Sequence, residues 1–261
     1  MRRTTRQRFV RLGFYALFVA IVVVVVAAAD WERLGRSFFR WEIAQEQFPD
    51  IVVIAAKNTV VYTAIAFVGG LFLGLIFAIM KLSTILPYRW FATVYIEIFR
   101  GLPALLTIFT IAFVLPIALG VRVPGGAVGA GVVGLVLVAG AYMAETIRAG
   151  IQSVPKGQVE AARSLGMSPS RTMLSIVLPQ AFRLIVPPLT NEFVLLIKDT
   201  SLLYIAGSSI TTKELTTFAR GEAAAASNAT PLLVAGVLYL VITVPLTRLV
   251  AWLERRQGRA R

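Results

Sequence analysis

Six ionisable side chains fall inside apolar runs of this chain: Glu97, Arg100, Glu145, Glu192, Lys198 and Asp199. A charge in such a run is costly, so by default it faces a partner or a polar cavity and marks a pathway. The chemistry these residues offer is recognition: a cation holds a carboxylate, and an acid holds an ammonium. Nucleophilic catalysis of the Ser-His or Cys-His kind is excluded, as are Cys or His metal sites, because the chain has no histidine and no cysteine. No Gly-x4-Gly-Lys-Ser/Thr phosphate loop occurs, which leaves no route of that kind to ATP hydrolysis.

Two readings stand for several of these charges. Glu97 and Arg100 are three residues apart, so they can form an ion pair on one helix or line a pathway. Arg100 lies 11 residues beyond Arg89, roughly 16 Å deep at helical rise. Lys198 and Asp199 are sequence neighbours, point to different faces and need partners elsewhere. Glu145 can line a pathway, or it can neutralise Arg148 three residues on.

A second group of polar residues lies in the stretch 157–183, GQVEAARSLGMSPSRTMLSIVLPQAFR. Pro155 and Lys156 can open a helix that Gln158 to Leu165 continue by propensity. Gly166 supplies a left-handed stop. Ser168 can cap a second helix with Pro169 in its first turn, and Pro179 is expected to end or kink it. The stretch therefore predicts a compact helix–turn–helix. Glu160 is its only acid, among basic neighbours.

The elements that position these groups are apolar. The 261 residues are 57% hydrophobic and carry a net charge of +13, too apolar for a soluble domain. Such a basic chain could suggest nucleic acid, but the apolar runs and the clustering of cations in short loops exclude it. Residues 12–29 predict a first membrane helix, preferred over a cleaved signal peptide because the run is long. Residues 30–57 mix charge with Trp31, Phe38, Phe39 and Trp41, the signature of an interfacial segment, which Pro49 breaks. Five more spans are predicted at about 58–80, 90–116, 128–147, 184–206 and 231–250. The span 90–116 is long, so it is tilted, kinked near Gly101-Leu102-Pro103 or partly outside the bilayer. The fold class is all-α, a polytopic membrane bundle of about six helices.

Alternating sides from a cytoplasmic N-terminus leaves 17 of the 26 Lys+Arg inside and seven outside, with Arg100 and Lys198 in the membrane. This asymmetry puts both termini and the 157–183 loop in the cytoplasm.

Glu160-Ala161-Ala162, then Gly166, then Ile176, Leu178 and Pro179 match in type and spacing the cytoplasmic EAA motif of ABC-importer permeases. Seven positions over twenty residues carry the match. Phe99-Arg100-Gly101-Leu102-Pro103 resembles the Phe-Arg-Gly-Thr-Pro segment of the polar amino-acid subfamily, departing at Leu102, which lacks a hydroxyl. Ala141-Tyr142-Met143-Ala144-Glu145, the run Arg148 to Gln158, and Lys198-Asp199-Thr200-Ser201-Leu202 resemble the same subfamily. The resemblance covers residues 52–256. Residues 1–51, an extra membrane helix and interfacial segment, fall outside it, and 257–261 form a basic tail. Many relatives have five spans and an external N-terminus, so one extra helix keeps the core orientation.

The resemblance implies a multi-pass subunit of the bacterial plasma membrane, a permease and not itself an enzyme. Its short loop helix would dock in a cleft of a separate ATPase, and closure of the ATPases would rock the bundle between outward and inward openings. Implied partners are ABC ATPase subunits, a second permease subunit (the same or different), an extracytoplasmic solute-binding protein, membrane lipid and an amino-acid substrate. ATP and magnesium would belong to the ATPase, with no cofactor in this chain. Coupling falls to Glu160, Ala161, Ala162, Gly166, Ile176, Leu178 and Pro179, and the pathway or gate to Glu97, Arg100, Glu145, Lys198 and Asp199. The residues alone also permit a passive channel or proton-coupled carrier, or a membrane anchor; the loop motif argues against the first and six intramembrane charges against the second. Export in place of import stays open within the leading class.

Overall fold

The computed structural model describes residues 3–120 and 123–258. Arg2, Arg122, Arg259 and Arg261, counted above in the charge asymmetry, lie outside the described residues. Among the described residues every regular element is helical. Six spans result if one bent pair counts as a single crossing.

Helix α1 (Arg3–Ala28) leads to two short helices, α2 (Trp31–Phe38) and α3 (Trp41–Glu46). Asp30 caps α2 by accepting from the Arg33 N–H at 2.9 Å. From Leu12 to Ala28 every side chain of α1 is exposed, so only lipid or another subunit can cover it. The α2–α3 segment is fastened to the bundle instead. Asn228 Nδ2 donates to the Arg36 carbonyl at 2.8 Å, the Ala229 N–H to the Ser37 carbonyl at 2.9 Å, and the Arg40 N–H to Thr230 Oγ1 at 3.1 Å. Pro49 follows α3 as expected, but the next helix starts sooner than residue 58. A π-helical turn, Ile51–Ala56, runs straight into α4 (Lys57–Leu82), and Ile51 is fully buried.

Helices α4 and α8 (Gly126–Gln152) form the centre of the bundle. The buried residues of α4 are Thr59, Thr63, Ala66, Gly70, Gly74 and Ala78, spaced three or four apart on one stripe. Small residues let helix backbones approach closely, which lipid-embedded packing favours. Gly74 shows the requirement: a Cβ there would lie 2.8 Å from the Met143 Cβ and 3.0 Å from the Ala144 backbone nitrogen. Thr59 and Thr63 return their hydroxyls to the carbonyls four residues back, at 2.9 and 2.7 Å, so no polar atom is stranded.

The long span 90–116 is broken. Helix α5 (Leu86–Gly101) and the line of α6 (Ala104–Phe109) and α7 (Leu115–Leu119) meet at 107°. Leu102 is extended, as the residue before a proline tends to be, and Pro103 has no N–H to continue the ladder. Tyr95 of α5 donates to the Leu137 carbonyl of α8 at 2.7 Å and stacks on Phe77 at 3.7 Å. Ile108 of α6 packs against the Gly134 region of α8. The two halves of the broken span thus cover the two halves of α8.

Helix α9 (Lys156–Ser164) is followed by α10 (Pro169–Thr172), a π-helical turn Met173–Val177, and α11 (Leu178–Asp199). Here the expectation that Pro179 ends the helix fails. Pro179 sits in the first turn of α11 and the helical path continues through it, because the π-turn before it frees the N–H position that proline lacks. The second half of the 157–183 stretch is the base of a membrane helix, and the projecting loop is shorter than the sequence predicts. Helix α12 (Leu215–Ala226) and α13 (Thr230–Gly258) complete the chain.

Candidate functional site

The α9 turn is built by local rules. Gly166 has φ +83°, and nothing lies within 4 Å of where its Cβ would be. Glycine is therefore required for backbone conformation, not for space. The Met167 N–H bonds to the Ala162 carbonyl at 3.1 Å and the Gly166 N–H to the Arg163 carbonyl at 3.0 Å, the paired bonds of a Schellman stop. Arg163 Nη1 also reaches the Met167 carbonyl. Ser168 Oγ then accepts from the Arg171 N–H at 3.3 Å, with Pro169 in the first turn of α10.

The faces of α9 divide the motif. Glu160, Ala161, Arg163 and Ser164 are exposed, and Leu165 is 86% exposed. Ala162 is only 6% exposed, so its small side chain faces this chain's own interior. Gln180 Nε2 reaches Gln158 Oε1 at 2.6 Å and also donates to the Ile176 carbonyl at 2.9 Å, tying α9 to the base of α11. Ile176 is half-buried there, while Leu178 and Pro179 are exposed.

Within the spans, the structure brings some predicted partners together and not others. Glu145 accepts from Lys81 Nζ at 3.2 Å and from Arg148 through both Nε and Nη2, while Arg148 Nη1 bonds to Gln152 Oε1. Glu145 thus clamps the last turn of α4 to α8. Sequence reasoning found Arg148 but missed Lys81; the signal was its place as one of two cations between the spans predicted at 58–80 and 90–116. Glu97 and Arg100 form no ion pair among the described residues. The Arg100 guanidinium carbon lies 5.5 Å from the centre of the Tyr142 ring, a cation–π contact between α5 and α8 that the tyrosine in Ala141-Tyr142-Met143 could have suggested. Glu192 and Asp199 are seven residues apart on α11, within about 20° of one face. Lys198 is exposed and Asp199 half-buried. Helix α8 packs against both α5 and α11.

A further residue passed unnoticed among the loop acids. Glu214 is 1% exposed. It accepts from the Thr216 and Thr217 N–H groups, each at 2.7 Å, from the Thr217 hydroxyl, and from the Tyr239 hydroxyl at 3.2 Å. Burial pushes its carboxyl above the ordinary glutamate value against these donors. As N-cap of α12 it joins that helix to α13.

A helical bundle with a broken span, charges on facing helices and a projecting capped helix defines the class of polytopic membrane proteins. Residues 70–259 match the family of binding-protein-dependent transport system inner membrane components, and the chain belongs to it. It is 40% identical over 205 residues to the probable glutamine ABC transporter permease protein GlnM of Bacillus subtilis (strain 168), covering 76% of this chain and 89% of that one. It is 37% identical over 223 residues to the L-cystine transport system permease protein TcyB of the same organism, covering 84% and 92%. Its fold superposes on a chain of a crystal structure of an amino acid ABC transporter with histidines, at a TM-score of 0.73 and 34% identity over 81% of this chain and 95% of that one. A bacterial alginate ABC importer at 12% identity and a TM-score of 0.65 shares the fold alone.

Proposed function

We propose that this chain is the permease subunit of an ATP-driven importer of polar amino acids, and that α9 with its Gly166 turn transmits closure of a separate ATPase. The observation that carries this reading is the outward face of α9. A lone acid, a methyl-sized Ala161 and an almost fully exposed Leu165 stand on a rigidly capped turn that spends few contacts on its own chain. That surface is complete in geometry and incomplete in burial, as a docking element is. The relatives' names supply the cargo class: glutamine and cystine are both zwitterions. Arg100 and Lys198 would meet the substrate carboxylate, and Asp199 and Glu97 its ammonium, while Glu145 serves the α4–α8 clamp. Residues 52–256 form the transporting domain, with 1–51 an added anchor.

The partners follow from the same reading: two ATPases that bind ATP and magnesium, a second permease subunit, and an external binding protein. Both termini and α9 are cytoplasmic and α12 is external. The chain has no cysteine, so single cysteines report this cleanly: Ala225→Cys should react with an impermeant thiol reagent from outside and Ser164→Cys only after lysis.

The coupling test uses Glu160→Lys and Gly166→Val. Both should insert normally while the ATPase no longer co-purifies or its activity in liposomes no longer responds to loaded binding protein. If both variants bind the ATPase and transport like the parent, α9 is not the coupling element.

A further inference from the structure

Where α4 ends and α5 begins, the chain leaves the membrane and returns within three residues, and a cleft of about 290 Å³ opens there. It is lined by Lys81, Leu86, Arg89, Trp90, Thr93, Arg148 and Gln152. Three of these are cations, and the one acid bonded to them is Glu145, which leaves the cleft with two net positive charges. Arg89 makes no ion pair among the described residues. Lys81 gives Glu145 one of its three N–H groups, and Arg148 keeps the second N–H of each terminal nitrogen.

A second feature points the same way. The first turn of α5, a helix of 16 residues, has no side-chain cap; Pro87 has no N–H and the Arg89 N–H bonds to the Ile85 carbonyl at 3.1 Å, which leaves the N–H groups of Leu86, a cleft residue, and Tyr88. The unpaired N–H groups of such a turn, and the helix dipole behind them, favour an anion. The rim is apolar and outward: Leu86 is 63% and Trp90 65% exposed. Tryptophan at the end of a span sits at headgroup level.

We propose that this cleft holds the phosphate of an anionic phospholipid, with the acyl chains lying along the rim of Leu86 and Trp90. Free phosphate offers the same charge, but it has no use for an apolar rim at headgroup depth. The volume accepts a phosphodiester and its glycerol and leaves the tails outside. Because Lys81 and Arg148 both grip Glu145, a bound phosphate would also brace the α4–α8 clamp. The site depends on the membrane boundary at this end of α4, not on the proposed coupling role of α9.

The test is binding of phosphatidylglycerol to the full chain in mild detergent. The protein would carry Trp31→Phe, Trp41→Phe and Trp252→Phe, so that Trp90 alone fluoresces. Brominated phosphatidylglycerol should quench Trp90 at lower concentration than brominated phosphatidylcholine. Arg89→Gln should weaken the anionic lipid about fivefold and leave the zwitterionic one unchanged; Arg89→Lys should keep most of the preference. Arg171→Gln, a cation away from the cleft, should change neither. Equal quenching by the two lipids, or a preference that survives Arg89→Gln, overturns the proposal. Displacement of the lipid by millimolar inorganic phosphate overturns the choice of lipid as the occupant.

Discussion

The two ends of the bundle solve the same problem, a tight polar connection between helices, in opposite ways. The α9 connection satisfies itself locally. Its capping bonds join residues three to five apart, and one glutamine contact, Gln180 to Gln158, reaches 22 residues. The connection from Gly207 to Glu214 is held from a distance. Asn58 Nδ2 donates to the Thr211 and Lys213 carbonyls at 2.8 and 3.0 Å, the Tyr62 hydroxyl donates to the Thr212 carbonyl at 3.1 Å, and the Leu215 N–H donates to Thr59 Oγ1 at 3.1 Å. Those partners lie about 150 residues away in sequence. One end therefore leaves its outward face exposed, and the other spends its polar groups on its own chain.

The contrast predicts where damage appears. The largest effect on the isolated chain belongs to Glu214→Ala. It removes the cap of α12 and leaves the Thr216 and Thr217 N–H groups without their acceptor, while the Tyr239 hydroxyl keeps Thr216 Oγ1 at 3.1 Å. Each buried orphan costs on the order of 1–3 kcal/mol, and the lost cap is that same loss counted once, so a total of about 2–6 kcal/mol is expected. Thermal melts in detergent should show it without any partner present. A melt unchanged by Glu214→Ala would mean that the two ends do not differ as described.

Leu165→Asp should behave in the opposite way. The side chain is 86% exposed, so the isolated chain should melt like the parent. Burial of a leucine against a partner is worth about 2 kcal/mol, which is roughly thirtyfold in affinity. Titration of the ATPase onto detergent-solubilised permease measures it. If affinity is unchanged while the melt shifts, Leu165 serves its own chain and the surface is not free.

How much could be read beforehand follows the same division. The α9 turn was legible because its chemistry is local: a helix-favouring run, Gly166 and a Ser168-Pro169 cap determine one another within a dozen residues. The break at Gly101-Leu102-Pro103 was legible for the same reason. Pro179 misled, because the π-turn that absorbs it arises from the neighbouring backbone and not from proline's own preference. Glu145 showed one of its two partners, since Arg148 lies one turn away and Lys81 lies on another helix. Arg100 seemed to have a partner one turn away in Glu97, but packing of α5 on α8 gave it Tyr142. Glu214 was counted as one loop acid among several; its burial comes with long-range packing, in which Tyr239 of α13 returns to bond it.

The smallest effect expected is also the most specific to that buried acid. In the folded chain the Glu214 carboxyl is raised, first by burial, with the Thr217, Thr216 and Tyr239 donors pulling the other way. The unfolded value is the ordinary one, so the folded state holds this proton more tightly. Stability from the group is therefore fully present below the unfolded value and is lost as pH rises through the raised folded value. Glu214→Gln keeps one oxygen, which can accept from the Thr216 or the Thr217 N–H group, and cannot ionise. The parent should lose melting temperature relative to Glu214→Gln as pH rises above the ordinary glutamate value and through the raised folded one, and the difference between the two curves isolates this residue from every other acid. Tyr62 and Tyr239, which stand near it, remain in both proteins. Parallel curves would mean that the donors outweigh burial and that Glu214 is anionic in the fold throughout. The far end would then be held by a capped charge, and the measured difference between the two ends would rest on the long-range bonds of Asn58, Tyr62 and Thr59.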